Sequence, residues 1–247
     1  MSSSLPEGFS LRLGRPDDVE PLTEMLVAEE QAVLGEARWS LADTRDWWRG
    51  LADHGERWIV EDARGAISGV LGVFQRDDLF NSWIVIDPRH FGRGIEPALL
   101  EHAEGRTRAR GGRSLRVDTF GANTLQRQLF QRCGYAEERR HYLMQIDFDG
   151  RPSEPEWPPG ITCHTFDRES DARDFYDVMN ESFIGQWGYR QMPFEEWVRL
   201  RVEAPDFDPT IWFIAREGSE AAGVLRGDHN RWGSGWIGMV GDRKSVV

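Results

Sequence analysis

Two stretches of the chain repeat each other without a gap. The first is Trp58-Ile59-Val60-Glu61-Asp62-Ala63-Arg64-Gly65-Ala66-Ile67-Ser68-Gly69-Val70-Leu71, and the second is Trp212-Phe213-Ile214-Ala215-Arg216-Glu217-Gly218-Ser219-Glu220-Ala221-Ala222-Gly223-Val224-Leu225. Trp58 and Trp212, like Gly69 and Gly223, are separated by the same 154 residues. Each copy reads as an apolar strand, a polar turn and a second apolar strand, which predicts a β-hairpin. The order of elements upstream also recurs. Phe9–Leu13 reads as a strand followed by helical patterns over Pro16–Val33 and Ser40–Asp53; Ile161–Phe166 is followed by helical patterns over Arg168–Phe183 and Pro193–Glu203. One fold is therefore expected twice, as a first domain over residues 1–148 and a partial second over 161–241. The Pro-rich stretch Asp149–Gly160 reads as a semi-rigid linker between them.

Only the first half continues past this point with further pattern. Phe80–Asp87 predicts an apolar strand, Pro88–Arg93 a turn and Gly94–Ala109 an amphipathic helix. Ser114–Thr119 predicts a strand, Asn123–Cys133 a helix and Tyr135–Phe148 a final pair of short strands. Asp77 and Asp78 read as a turn before the apolar strand. With 247 residues and a net charge of −12, and with no basic run to follow a phosphate backbone, nucleic acid is not an expected partner. No stretch approaches the roughly 18 apolar residues of a membrane span, and Met1–Phe9 lacks a basic n-region and an apolar h-region. The expected setting is the cytoplasm, with no membrane partner. Cys133 and Cys163 stand far apart with no CxxC or His-rich neighbour, so no metal is expected and both thiols are expected buried and reduced.

The resulting order, β-α-α-β-β-β-α-β-α-β with a Gly-containing turn between a central strand and the main helix, resembles the GNAT acetyltransferases, and in particular tandem GNAT proteins of the mycothiol synthase type. Trp47-Trp48 and Trp58 resemble the WW…W-I-V pattern of that group. Phe183-Ile184-Gly185-Gln186-Trp187-Gly188-Tyr189 with Pro193-Phe194-Glu195-Glu196-Trp197 and Pro205-Asp206-Phe207-Asp208-Pro209 is similar to its second-domain signature. Core and helix packing explains each tryptophan, taken singly, better than a ligand role does. The fold class implied is α/β with a mixed sheet, the GNAT fold, duplicated and with an incomplete second copy.

The resemblance implies acetyl-CoA as cosubstrate and an amine of a small molecule as acceptor. In such proteins the pyrophosphate sits on backbone N–H groups at the start of the main helix, where unpaired donors and the helix dipole favour an anion. The pantetheine arm pairs with the central strand. By this correspondence the cofactor-binding residues are Ile84, Val85 and Ile86 on the strand, Phe91, Gly92, Arg93, Gly94, Ile95 and Glu96 in the turn, and Asn123 at the start of the last helix. Asn123 is equally a plain N-cap. The turn departs from the family pattern R/Q-x-x-G-x-G/A: Phe91 stands at the first position and Glu96 at the last. A carboxylate at Glu96 satisfies the helix dipole itself and opposes a phosphate. Two unit charges about 5 Å apart at an effective dielectric of 20 repel by roughly 3 kcal/mol, about a hundredfold in affinity. Arg93 is expected to offset part of that. The family tyrosine that protonates the leaving thiolate stands four residues before a Gly-Phe/Tyr pair, but here the pair is Gly134-Tyr135 and the position is Phe130. The catalytic residues are accordingly unknown, and the first domain is expected to have kept the fold without the chemistry.

In the second half Gly235–Gly241 reads as the central strand, and the expected turn and helix do not follow. Asp242-Arg243-Lys244-Ser245-Val246-Val247 ends the sequence and contains its sole lysine, whereas every other basic residue is arginine. A common sequencing adapter translates to those six residues and a stop, so 242–247 is expected to be an artefactual tail. Two functions stay open: N-acetyl transfer to a small-molecule amine, inactive in this fragment, and a non-catalytic GNAT-like module that binds CoA or forms an interface.

Overall fold

The computed structural model describes residues 4–76, 79–204, 207–231 and 234–243. The turn expected at Asp77 and Asp78, the signature residues Pro205 and Asp206, and the tail residues 244–247 lie outside them. The chain divides into two compact units, Met1–Met144 and Gln145–Val247.

Unit 1 is a five-stranded mixed sheet with helices on both faces. Its elements are β1 (Phe9–Leu13), α1 (Val19–Leu34), α2 (Leu41–His54), β2 (Gly55–Asp62), β3 (Ile67–Arg76), β4 (Leu79–Ile86), α3 (Ile95–Ala109), β5 (Leu115–Asp118) and α4 (Thr124–Arg132). The strands lie in the order β1-β2-β3-β4-β5, antiparallel except for the β4–β5 pair. Alternation along the strands sorts side chains between two cores. Trp58, Val60, Leu71, Ile84 and Ile86 pack against Ile95, Leu99 and Leu100 of α3 and Phe130 of α4. Ile59, Val70 and Val85 pack against Leu22, Met25 and Leu26 of α1 and Trp48 of α2.

Unit 2 contains β6 (Ile161–Thr165), α5 (Arg168–Phe183), α6 (Phe194–Trp197) running into a π-type turn over Val198–Val202, β7 (Trp212–Glu217), β8 (Glu220–Arg231) and β9 (Ser234–Asp242). Its antiparallel strands lie in the order β6-β7-β8-β9, the same as β1-β2-β3-β4. Phe175 and Val178 of α5 and Trp197 of α6 pack with Trp212, Ile214 and Val224 from the sheet. On the opposite face Phe213 is surface-accessible, and Ile237 and Val240 are 63% and 64% exposed.

Four structural findings bear on the sequence expectations. Residues 135–148 form no strand: Tyr142, Met144 and Ile146 are exposed, because apolar alternation makes a strand only where a sheet edge accepts it. Cys133 is an exposed free thiol and Cys163 is half-buried. The tail boundary does not coincide with the sheet, since Asp242 pairs with Gly223 and Arg243 N–H donates to the Ala222 carbonyl at 2.8 Å.

The fourth concerns the gapless repeat. Ile59 pairs with Val70, whereas Val224, the counterpart of Val70, pairs with Ile214. The shift arises in the turns. The first hairpin closes with Asp62 N–H on the Ala66 carbonyl at 2.9 Å around Ala63–Gly65, and the second pairs Glu217 with Glu220 around Gly218–Ser219 alone. One residue of shift exchanges the two faces. Trp58 therefore packs toward α3, edge-on to His102 at 4.4 Å, while Trp212 lies in the α5–α6 core. Phe213, not Trp212, takes the place of Trp58. This register predicts that Trp212→Ala lowers the unfolding free energy of unit 2 by about 3–5 kcal/mol, and Phe213→Thr by less than about 1 kcal/mol, in urea denaturation of the full chain. The reverse order would show the register to be wrong.

Candidate functional site

The site of unit 1 forms where two parallel strands part. β4 and β5 pair from Phe80–Leu115 to Trp83–Asp118, after which Ile84, Val85 and Ile86 keep their β3 partners Leu71, Val70 and Gly69 but have none on β5. α4 begins at this opening. Asn123 is its N-cap, its side-chain oxygen accepting from Gln126 N–H at 3.1 Å. Gln126, buried one turn along, donates through Nε2 to the Ile84 carbonyl at 2.9 Å. That bond satisfies a strand acceptor left free by the splay. Sequence reasoning missed Gln126, because nothing local marks a glutamine whose partner lies 42 residues away.

Past Ile86 the chain must turn sharply onto the sheet. Asp87 opens the turn by accepting from Arg89 N–H at 2.9 Å, Pro88–His90 makes a short 3-10 turn, and Phe91 packs against the α3-side core. Gly92 and Gly94 have φ of 72° and 89°, the left-handed region where a side chain is strained. Ile95, fully buried, anchors α3. Gly94 is the N-cap and has no side chain with which to cap. Glu96 stands there instead: its carboxylate faces its own N–H and that of Gly92, both of which favour its charged form. Burial pushes the Glu96 carboxyl above its ordinary range, against the two N–H donors that lower it. The Arg93 guanidinium lies over the Phe9 ring at 4.9 Å, with Nη1 3.3 Å from His90 Nδ1.

The structure thus gathers the residues expected around a cofactor, with Ile84–Ile86 on the open strand, Phe91–Glu96 in the turn and Asn123 across the opening. It also fills their polar positions from within. Two of the turn's N–H groups, those of Gly92 and Glu96, face a carboxylate of the same charge sign as a pyrophosphate, and the Ile84 carbonyl is met by Gln126. At the acid position Phe130 is buried in the core, and the nearby Tyr135 hydroxyl donates to Glu104 Oε1 at 3.2 Å. Burial and the Glu104 charge push that phenol up, which makes it a poor proton donor.

Glu29 of α1 is a second residue that sequence reasoning missed. Its side chain is 5% exposed, and Asn123 Nδ2 stands 3.5 Å from Oε1. Burial, followed by the charge of Glu30, pushes the Glu29 carboxyl from 4.5 to about 7, while the Asn123 contact lowers it slightly. A folded-state value above the unfolded one means that the native state binds the extra proton, so the stabilisation is complete below about pH 4.5 and is lost as pH rises through 7. Glu29→Gln is expected to remove this pH dependence and to raise stability at pH 8 by on the order of 1–3 kcal/mol. Thermal unfolding of both proteins from pH 5 to 8 checks it; parallel curves would contradict it. Gln126→Leu, which orphans the buried Ile84 carbonyl, is expected to cost about 1–3 kcal/mol by urea denaturation.

Comparison with known proteins agrees with this geometry. Residues 20–135 match the Acetyltransferase (GNAT) family. The mycothiol acetyltransferase of Catenulispora acidiphila is 28% identical over 160 residues, 64% of this chain and 50% of that protein. That of Geodermatophilus obscurus is 30% identical over 142 residues, 57% of this chain and 45% of that protein. The chain spans about half the length of these curated relatives. Among solved structures, a GCN5-related N-acetyltransferase from Sphaerobacter thermophilus superposes with a TM-score of 0.84 at 27% identity, over 98% of this chain and 78% of that one. The match over residues 20–135 spans α1 to α4, and so takes in both the sheet that parts between β4 and β5 and the glycine turn into α3, which makes unit 1 similar to GNAT acetyltransferase domains.

Proposed function

We propose that the chain belongs to an acetyl-CoA-dependent N-acetyltransferase system that acts on the amine of a small molecule in the cytoplasm, and that unit 1 is its non-transferring partner. GNAT proteins use acetyl-CoA as cosubstrate, and the curated relatives carry the name mycothiol acetyltransferase, which supports a small-molecule acceptor for this chain as well. A duplicated origin of the two units rests on the shared strand order and the repeated hairpin.

The observation that carries the second half of this reading is the Glu96 carboxylate in the first turn of α3, facing the Gly92 N–H. An anion-binding turn works because its donors are unpaired and its dipole is uncompensated. Glu96 removes both conditions. The missing hydroxyl at Phe130 removes the proton donor that thiolate departure needs. Ile84–Ile86, Phe91–Ile95 and Asn123 on this account shape the opening without assembling a working transfer site. The chain is expected to transfer no acetyl group from acetyl-CoA to a panel of small primary amines above the uncatalysed rate, followed by thioester consumption. Turnover that a Gly92→Val substitution abolished would show unit 1 to be a working enzyme.

A further inference from the structure

The sheet of unit 1 ends at β1, whose outer edge has no strand beside it among the described residues. One hydrogen bond fixes which of its backbone groups face outward. Gly14 N–H donates to the Arg57 carbonyl at 2.9 Å, so in this antiparallel pair the even residues Ser10 and Arg12 bond to β2, and the odd residues Phe9, Leu11 and Leu13 turn their N–H and C=O groups away from it. Two of the outward groups are met locally. Phe9 N–H donates to the Pro6 carbonyl at 3.2 Å, and the Leu13 carbonyl accepts from Arg12 Nη1 at 3.0 Å. The N–H and C=O of Leu11, at the middle of the strand, have no partner among the described residues.

Beside that edge, on the α3 face, lies a groove of about 510 Å³. Leu5, Phe9 and Leu11 form one side of it and Ala98, Leu99 and Gly105 of α3 the other; from Ala98 to Arg108 it runs about 15 Å along the helix. Gly105 sits inside α3, where glycine lowers helix stability relative to alanine, and a Cβ placed there would meet nothing within 4 Å. Packing within unit 1 gives no reason for this glycine; its effect is to keep the groove open. The Phe9 ring lies under the Arg93 guanidinium just before the start of α3, and Trp58, the partner of Leu13, lies under that of Arg106 at 6.0 Å. The charges lining the groove are thereby sorted along β1. Arg106 and Arg108 stand at its Leu13 end, and Glu101 stands between one and two turns of α3 earlier. Glu56 bonds Nε and Nη2 of Arg106, and Glu104 bonds Nη2 of Arg108; a guanidinium carries five N–H donors, which leaves some on both for a further carboxylate. β6, the counterpart of β1 in unit 2, has no counterpart of α3 beside it among the described residues.

We infer that the outer edge of β1 takes an extended peptide segment of a partner protein, added antiparallel as a further strand, with apolar residues opposite Leu11 and Phe9 and an acidic residue opposite Leu13. Main-chain bonds to Leu11 supply affinity, and strand alternation turns every second side chain of the peptide toward the groove. Antiparallel is the more stable pairing, and it puts the acidic residue at the N-terminal end of the peptide, where Arg106 and Arg108 line the groove. The surface lies at the opposite edge of the sheet from β5, so it is separate from the β4–β5 opening and goes beyond acetyl transfer.

The test follows the Leu11 backbone amide of the full chain by NMR during titration with the peptide acetyl-Asp-Thr-Val-Thr-Val-Thr-amide. A saturable shift is expected. Methylating the nitrogen of the first valine, which faces Leu11, is expected to abolish it, whereas methylating that of the next threonine, whose N–H points away from β1, is expected to leave it. Arg108→Ala is expected to weaken binding about two- to fivefold, and to have no effect on the peptide that carries Asn in place of Asp. Gly105→Leu is expected to weaken binding about tenfold while raising the urea midpoint of the chain, since the larger side chain fills the groove and favours the helix. Should Gly105→Leu fail to fold, the two methylated peptides decide on the unmodified chain. No saturation up to about 5 mM peptide, equal binding of the two methylated peptides, or full affinity in folded Gly105→Leu would each overturn the inference. So would a Leu11 shift that depends on protein concentration alone, because a second copy of the chain would then hold the edge.

Discussion

The pairing of β4 with β5 ends at Trp83 and Asp118, and the rest of unit 1 is arranged around that ending. A parallel pair that simply stopped would leave strand acceptors and donors without partners in a buried place. α4 meets the need by beginning there, with Asn123 capping it and Gln126 turned onto the Ile84 carbonyl. α3 meets it from the other side, since Ile95, Leu99 and Leu100 cover Ile84 and Ile86 as the strand parts from its neighbour. α1 closes the remaining face and brings Glu29 to Asn123 across 94 residues of sequence. The opening is thereby a property of strand register, and its lining is a consequence of where the helices must start.

Charge decides what such an opening can take. A helix start with free N–H groups attracts anions; the same helix start with Glu96 folded onto Gly92 does not. The Arg93 guanidinium, which the sequence placed as a partial offset, is spent on Phe9 and His90. At the same opening Glu29 adds a second carboxylate with no cation beside it. Unit 1 thus places two carboxylates, Glu29 and Glu96, around a turn of the kind that takes anions, and the proposal that it does not transfer acetyl groups follows from that conflict.

The elements of both units could be read from apolar periodicity because helices and strands bury one stripe each, and α1, α3, α5 and β4 lie within a few residues of their expected bounds. Register could not be read. The one-residue difference between the turns at Ala63–Gly65 and Gly218–Ser219 leaves the Trp and Gly-Val-Leu positions aligned in sequence while moving Trp58 and Trp212 to opposite faces. The alternation of residues 135–148 looked like paired strands because periodicity reports amphipathicity, not the presence of an edge to join. In the site, Glu96 was legible because its conflict with an anion is local to one turn. Glu29 and Gln126 were not, since each acquires meaning only from a partner on another element.

The central claim, that Glu96 occupies the anion position of the glycine turn, is tested most directly by calorimetric titration of CoA into the full chain and into Glu96→Ala. Removing one unit charge about 5 Å from the phosphate predicts affinity higher by up to about a hundredfold in the variant, with the gain shrinking as salt rises. Tight CoA binding by the unmodified chain, unchanged by the substitution, would contradict the account.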